Sequence, residues 1–88
     1  MPMQILKVAA TSRATAVAGA IAGVIRDGNV PEVQAIGPHA VNQAVKAVAI
    51  ARGYLAEEGV NIICIPAFVE VTIEDQERTA IKLTVERR

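Results

Sequence analysis

The chain has 88 residues, enough for one small domain that withdraws only roughly 60–65% of its unfolded surface from water, so its stability is marginal without further burial. Its apolar fraction is 52% but aromatics make up only 2%, so bulk comes from Ala, Val and Ile, and contact between copies would add the burial a monomer lacks. Net charge is zero, which argues against a strongly basic nucleic-acid binder and against a basic membrane-surface helix.

Met3–Val8 alternates weakly and reads as a strand. Thr11 and Ser12 offer a hydroxyl cap to a helix from about Arg13 to Asp27, whose apolar stripe is Ala14, Val17, Ala18, Ile21, Val24 and Ile25. Gly28 suits the left-handed position that ends a helix. Gly19 and Gly23, four residues apart inside that helix, each cost about 1 kcal/mol relative to alanine and suggest close approach of another backbone, within the monomer or between subunits.

Residues 31–36 form a second strand. Gly37 then stands at the N-cap and Pro38 at N1, where its missing N–H costs nothing. The second helix runs to about Glu57 with a stripe of Val41, Ala44, Val45, Val48, Ala51 and Leu55. Its other side carries His39, Asn42, Gln43 and Lys46, interrupted by Ile50 and Tyr54, and this second apolar patch asks for a second partner. Gln43, Ala47, Ile50 and Tyr54 are therefore the candidate oligomer interface.

Asn61 to Glu74 reads as a long strand with Ile63, Ile65, Ala67, Val69, Val71 and Ile73 along one face. Ile62, Cys64 and Phe68 lie on the other, which turns wet at Glu70, Thr72 and Glu74. Pro66 implies an edge, a bulge or a bend. A hairpin tip at Asp75-Gln76-Glu77 leads into a returning strand over Thr79–Val85. The expected fold is α+β, order β-α-β-α-β-β, a single domain over 1–88 with a four-stranded mixed sheet and two helices on one face; no repeat, linker or low-complexity tract is visible.

Reaction chemistry is sparse. His39 is the sole histidine and no local motif joins it to a nucleophile. Glu57-Glu58 and Glu74-Asp75-Glu77 are placed where acids are normally solvated, and no phosphate-binding glycine loop is present. No enzyme, cofactor or metal is expected. The lone Cys64, inside Ile62-Ile63-Cys64-Ile65, reads as a buried structural thiol. The N-terminus lacks a basic flank with an apolar signal core, and the apolar run Ala14–Ile25 is too short to span a bilayer, so the expected location is cytoplasmic with no membrane partner.

Anion binding is the chemistry left. The helix start at Gly37-Pro38-His39 presents free amides and a positive dipole end, and Ser12 and Arg13 in the first strand-to-helix loop would reach a second phosphate. Residues 1–52 carry five bases and two acids (+3), and residues 53–88 four bases and seven acids (−3), so the fold holds either two charged poles or a mixture of the two.

Ala35-Ile36-Gly37, Asn42 to Gly53, Ile63 to Phe68 and Glu77 to Leu83 together make the sequence resemble the stage V sporulation protein S family over essentially its whole length. That resemblance implies a regulatory role in spore development rather than a defined reaction. At one remove, the element order and Ala44-Val45 with Arg52 resemble the Alba-type chromatin and RNA-binding proteins, dimers that lay helix-start loops and a β-hairpin along a nucleic-acid backbone. Here the Alba Gly-Arg helix start is replaced by Pro38-His39, its lysine pair falls near Ala10-Thr11, and the hairpin tip is acidic. The combined reading is an Alba-like homodimer or higher homo-oligomer that binds DNA or RNA weakly through Ser12, Arg13, Pro38, His39, Lys46 and Arg52. One alternative is a protein-interaction module that binds no nucleic acid; a second is a site for a small anion at Gly37-Pro38-His39.

Overall fold

The computed structural model describes residues 2–88, and Met1 lies outside them. The elements follow the order β1 (Met3–Val8), α1 (Ala14–Arg26), β2 (Val30–Ala35), α2 (Pro38–Ala56), β3 (Ile62–Ile73) and β4 (Gln76–Arg87). One four-stranded sheet forms in the order β1-β2-β4-β3. β1 and β2 are parallel, and β4 runs antiparallel to both β2 and β3. The sheet is mixed and both helices lie on one face, the α+β architecture that the element order implies.

Each helix is formed and stopped by identifiable residues. In α1, Ala18, Ile21, Ala22, Val24 and Ile25 are buried, a stripe that takes in Ala22, while Ala14 and Val17, which the periodicity put in it, are half-buried. The N-cap is Arg13 in extended conformation, with no side-chain cap. The hydroxyl expected to cap α1 instead closes the turn before it: Ser12 Oγ accepts from the Ala9 amide at 2.9 Å. At the other end, Gly28 (φ 81°) donates to Ile25 O, and Asn29 to Val24 O, each at 3.0 Å. That pair of bonds is a Schellman motif, which needs a left-handed residue where Gly28 stands.

α2 begins where expected, with Gly37 (φ 86°) at the N-cap and Pro38 following. Its buried stripe is Ala40, Ala44, Ala47, Val48, Ala51 and Leu55. Val45, placed in the stripe from sequence, is 52% exposed, and Ala47 takes its place against the core. The small side chains of this stripe let α1 pack closely alongside, and α1 covers the flank of α2 that carries Gln43, Ala47 and Ile50. The core is completed by Val8, Val33, Ala35, Ile62, Leu83 and Val85 from the sheet.

The hairpin differs from expectation in two respects. Its turn is the two-residue Glu74-Asp75, both at positive φ (50° and 65°), and β4 starts at Gln76 and runs to Arg87. Two successive left-handed residues match the twist of the strands they join. Because β2 pairs with β4 only over Thr84 to Ile81, the five hairpin pairs from Val69–Ala80 to Ile73–Gln76 project beyond it as an arm. Five residues of strand span about 17 Å, which helps to account for a molecule 42 Å long and 17 Å thick.

β3 is the outer strand on that side, so Pro66 sits on an edge, one of the three settings its ring allows. Cys64, read as buried, is exposed. It lies on the helix side of β3, opposite Val85, but the helices cover β1, β2 and β4 and reach β3 chiefly at Ile62. The uniformly apolar row of β3, Ile63 to Ile73, points to the opposite face, which no helix covers, because the unbroken register opposite β4 sets Cys64, Pro66 and Phe68 beside Val85, Leu83 and Ile81 on the helix side.

Candidate nucleic-acid interface

Parallel β1 and β2 each run into a helix, so the N-termini of α1 and α2 emerge at the same end of the sheet. β4 is antiparallel to β2, and the hairpin arm therefore projects from that same end. Gln43, on the second turn of α2, donates from Nε2 to the Ser12 carbonyl at 2.8 Å and ties the first strand-to-helix loop onto α2. This bond sets Ser12 and Arg13 beside the turn that carries His39. Lys46 lies two turns beyond His39 on the same exposed side, about 10 Å along the axis. Neither of the two ion pairs among the described residues uses Arg13, His39, Lys46 or Arg52, so the arginine and lysine charges are not neutralised by an ion pair within the monomer.

Arg52 is not part of this group. It is 13 residues past His39, which puts it about 20 Å further along the helix and roughly 140° around it. There it shares a face with exposed Val45, on the opposite side of α2 from Gln43.

The acidic residues are only partly set apart. Arg26 at the end of α1 forms a two-pronged pair with Glu58, from Nε at 3.0 Å and Nη2 at 2.6 Å to Oε2. Hydrogen bonding to Arg26 holds the Glu58 carboxyl below the usual carboxylate range, and the arginine charge adds to that effect. Lys82 approaches Glu32 at 3.9 Å. Both pairs join a base to an acid across the two halves of the sequence, so the +3 and −3 halves mix at these points. The remaining acids concentrate on the arm, where Thr79 Oγ1 donates to Glu70 at 2.7 Å and Glu74, Asp75 and Glu77 form or flank the tip.

A groove of about 340 Å³ lies at this end, between Lys7–Ala10, Gln34–Ile36 and the Val71–Ile73 stretch of the arm. The helix starts, the groove and the arm thus form one continuous end of the molecule.

The arrangement of all six elements falls within the span of one family. The family model for stage V sporulation protein S (SpoVS) matches residues 4–88, from β1 through the end of β4. The chain belongs to the SpoVS family. Membership makes it a small sporulation-related protein, and the matched span holds every candidate residue from Ser12 to Arg52.

Within this SpoVS fold, the four residues read as an oligomer interface are placed very differently from one another. Ala47 is fully buried and offers no surface, Gln43 is half-buried with its amide on Ser12, and Ile50 packs partly against the core. Tyr54 alone is an exposed large apolar side chain. The flank read as awaiting a second copy faces α1 of the same chain. Gln43 was legible only as a polar residue on a helix; its bond to a backbone carbonyl 31 positions away depends on tertiary packing and leaves no sequence signal. Within the monomer no backbone approaches Gly19 or Gly23 closely, since a methyl group added at each would meet nothing within 4 Å. Among the described residues no cluster of His, Cys, Asp and Glu is placed to hold a metal ion, and no helix is long and apolar enough to cross a membrane.

Proposed function

We propose that this SpoVS protein is a non-enzymatic regulatory protein that self-associates and binds nucleic acid weakly, through backbone phosphates rather than base edges. The observation that carries the reading is the convergence of two helix N-termini with Arg13 and His39 at one end, and Lys46 two turns along the same side of α2, with none of these side chains held in an ion pair of the monomer. First-turn amides and unpaired cations are the groups that hold phosphate oxygens, and they carry no sequence preference by themselves. Ser12 Oγ accepts from the Ala9 amide, which holds the hydroxyl in place and leaves its O–H free to donate to a phosphate oxygen. Pro38 shapes the helix start and donates nothing. Arg52 would act only on a nucleic acid long enough to pass around α2.

The alternative, a protein-interaction module without nucleic-acid affinity, draws its support from the acidic arm, which projects from the same end and repels phosphate. Binding of duplex DNA, single-stranded DNA and RNA to the purified protein decides between them, with Arg13→Ala, Lys46→Ala and Arg52→Ala alongside. The expected result is affinity that weakens several-fold in the first two variants and little in the third. No binding of any of the three at low salt removes the nucleic-acid reading and leaves the interaction module.

A further inference from the structure

We propose that the face of the sheet opposite the helices is the contact surface for a second copy of this chain. The inference rests on the self-association in the reading above and names the surface that makes it. Of the eight exposed large apolar side chains, five point to this face: Met3 and Ile5 on β1, and Ile63, Ile65 and Ile73 on β3. Val45, Tyr54 and Phe68 are the other three and do not form one patch with them.

The apolar rows run along the two outer strands, and the middle of the face is polar, with Glu32 and Gln34 buried and Lys82 partly exposed. Glu32 is 7% exposed although neither helix lies over it, so the side chains of neighbouring strands close around it. Gln34 donates to Glu32 Oε2 at 2.6 Å and Lys82 stands 3.9 Å from Oε1. Both carboxylate oxygens have partners and are withdrawn from water in the monomer. Covering Glu32 and Gln34 therefore forfeits little hydration, and the desolvation cost of docking over this centre falls mainly on Lys82, whose side chain is one-third exposed.

Size and charge select a second copy as the occupant. Five side chains at about half exposure present roughly 430 Å² of apolar surface in two strips, about half of the roughly 800 Å² per partner of a standard interface. Lys7, Arg78 and Lys82 on this face stand against Glu32 and Glu86, close to balance, so charge does not favour an unlike partner. Two such sheets packed face to face, about 10 Å apart, would seat each apolar row against the other copy. The groove under the arm adds concave surface at one end of the same face.

The test is sedimentation equilibrium from low to high micromolar concentration on the parent chain, Ile5→Lys, Ile65→Lys, and the helix-side variants Phe68→Ser and Tyr54→Ser. The expected result is a parent dimer that weakens at least about tenfold in each lysine variant and is unchanged in both serine variants. A parent that stays monomeric overturns both the self-association and its surface. A parent dimer that survives Ile5→Lys and Ile65→Lys, or falls apart in Phe68→Ser, overturns the surface alone. Should a lysine variant lose its fold by circular dichroism, isoleucine methyl spectra of the parent on dilution decide instead. Shifts at Ile5, Ile63, Ile65 and Ile73, with Ile21 and Ile50 unmoved, support the proposal, and the reverse pattern refutes it. Nucleic-acid binding is scored on the same samples and fails or holds independently.

Discussion

Gly28 and Gly19 belong to the same stretch of chain but answer to opposite constraints. Gly28 holds φ at 81° to complete the α1 terminus, and a methyl group there would meet no neighbouring atom, so any cost of substitution is conformational. Gly28→Ala is expected to destabilise the fold by about 1 kcal/mol, the cost of a side chain in the left-handed region. Gly19 is helical and exposed, with nothing near its missing Cβ. Gly19→Ala is expected to stabilise by about 1 kcal/mol through helix propensity. Urea unfolding of the two variants checks both signs at once. Equal effects of the same sign would mean that neither glycine acts through its backbone. The paired case also shows what a glycine in a sequence does and does not disclose: position after a helix pointed correctly to Gly28, whereas the close approach inferred from Gly19 and Gly23 has no counterpart in the monomer.

At the level of elements, the Arg26–Glu58 pair joins the C-terminal ends of α1 and α2, and Arg87 of β4 donates to the Ile25 carbonyl at 2.9 Å in the same region. Since the folded Glu58 carboxyl lies below its ordinary value, the pair contributes above the usual carboxylate range and is lost as pH falls through the lower folded value. Both partners are close to half exposed, so the contribution is small and screened by salt. Glu58→Gln is expected to melt slightly below the parent at neutral pH, with the gap closing in acid and in high salt. Melting curves across those conditions measure it; a gap that persists in acid would assign the loss to packing rather than charge. Glu58 was read from sequence as a solvated acid, because a pair between residues 32 positions apart exists only once the helices dock. The elements themselves were legible where local chemistry sets them, as in the period of α1 and the Gly37-Pro38 start of α2. The hairpin turn was misplaced because Glu74-Asp75 carries none of the glycine or asparagine that marks positive φ. Cys64 was misjudged for a different reason: alternation divides a strand into two faces but does not say how far a helix extends over either one.

Considered as a whole, the molecule gathers its candidate phosphate contacts at one end and its uncovered apolar surface on one face, and salt dependence connects the two. Arg13 and Lys46 offer two cationic contacts per copy, whereas Arg52 lies around the helix. Two neutralised phosphates on duplex DNA give a slope of about −1.8 in log affinity against log salt, or an affinity loss of about 12-fold between 50 and 200 mM. A dimer that engages the duplex with both copies doubles the slope to about −3.6. Packing through the sheet face leaves the helix starts of both copies uncovered, so the steeper value is expected for the parent chain and the shallower one for Ile65→Lys. Titration of duplex DNA at several salt concentrations, parent beside variant, reads this directly. A parent slope near −1.8 that Ile65→Lys does not change would mean that one copy binds alone, and that the sheet face, whatever it holds together, does not bring two phosphate-binding ends onto one duplex.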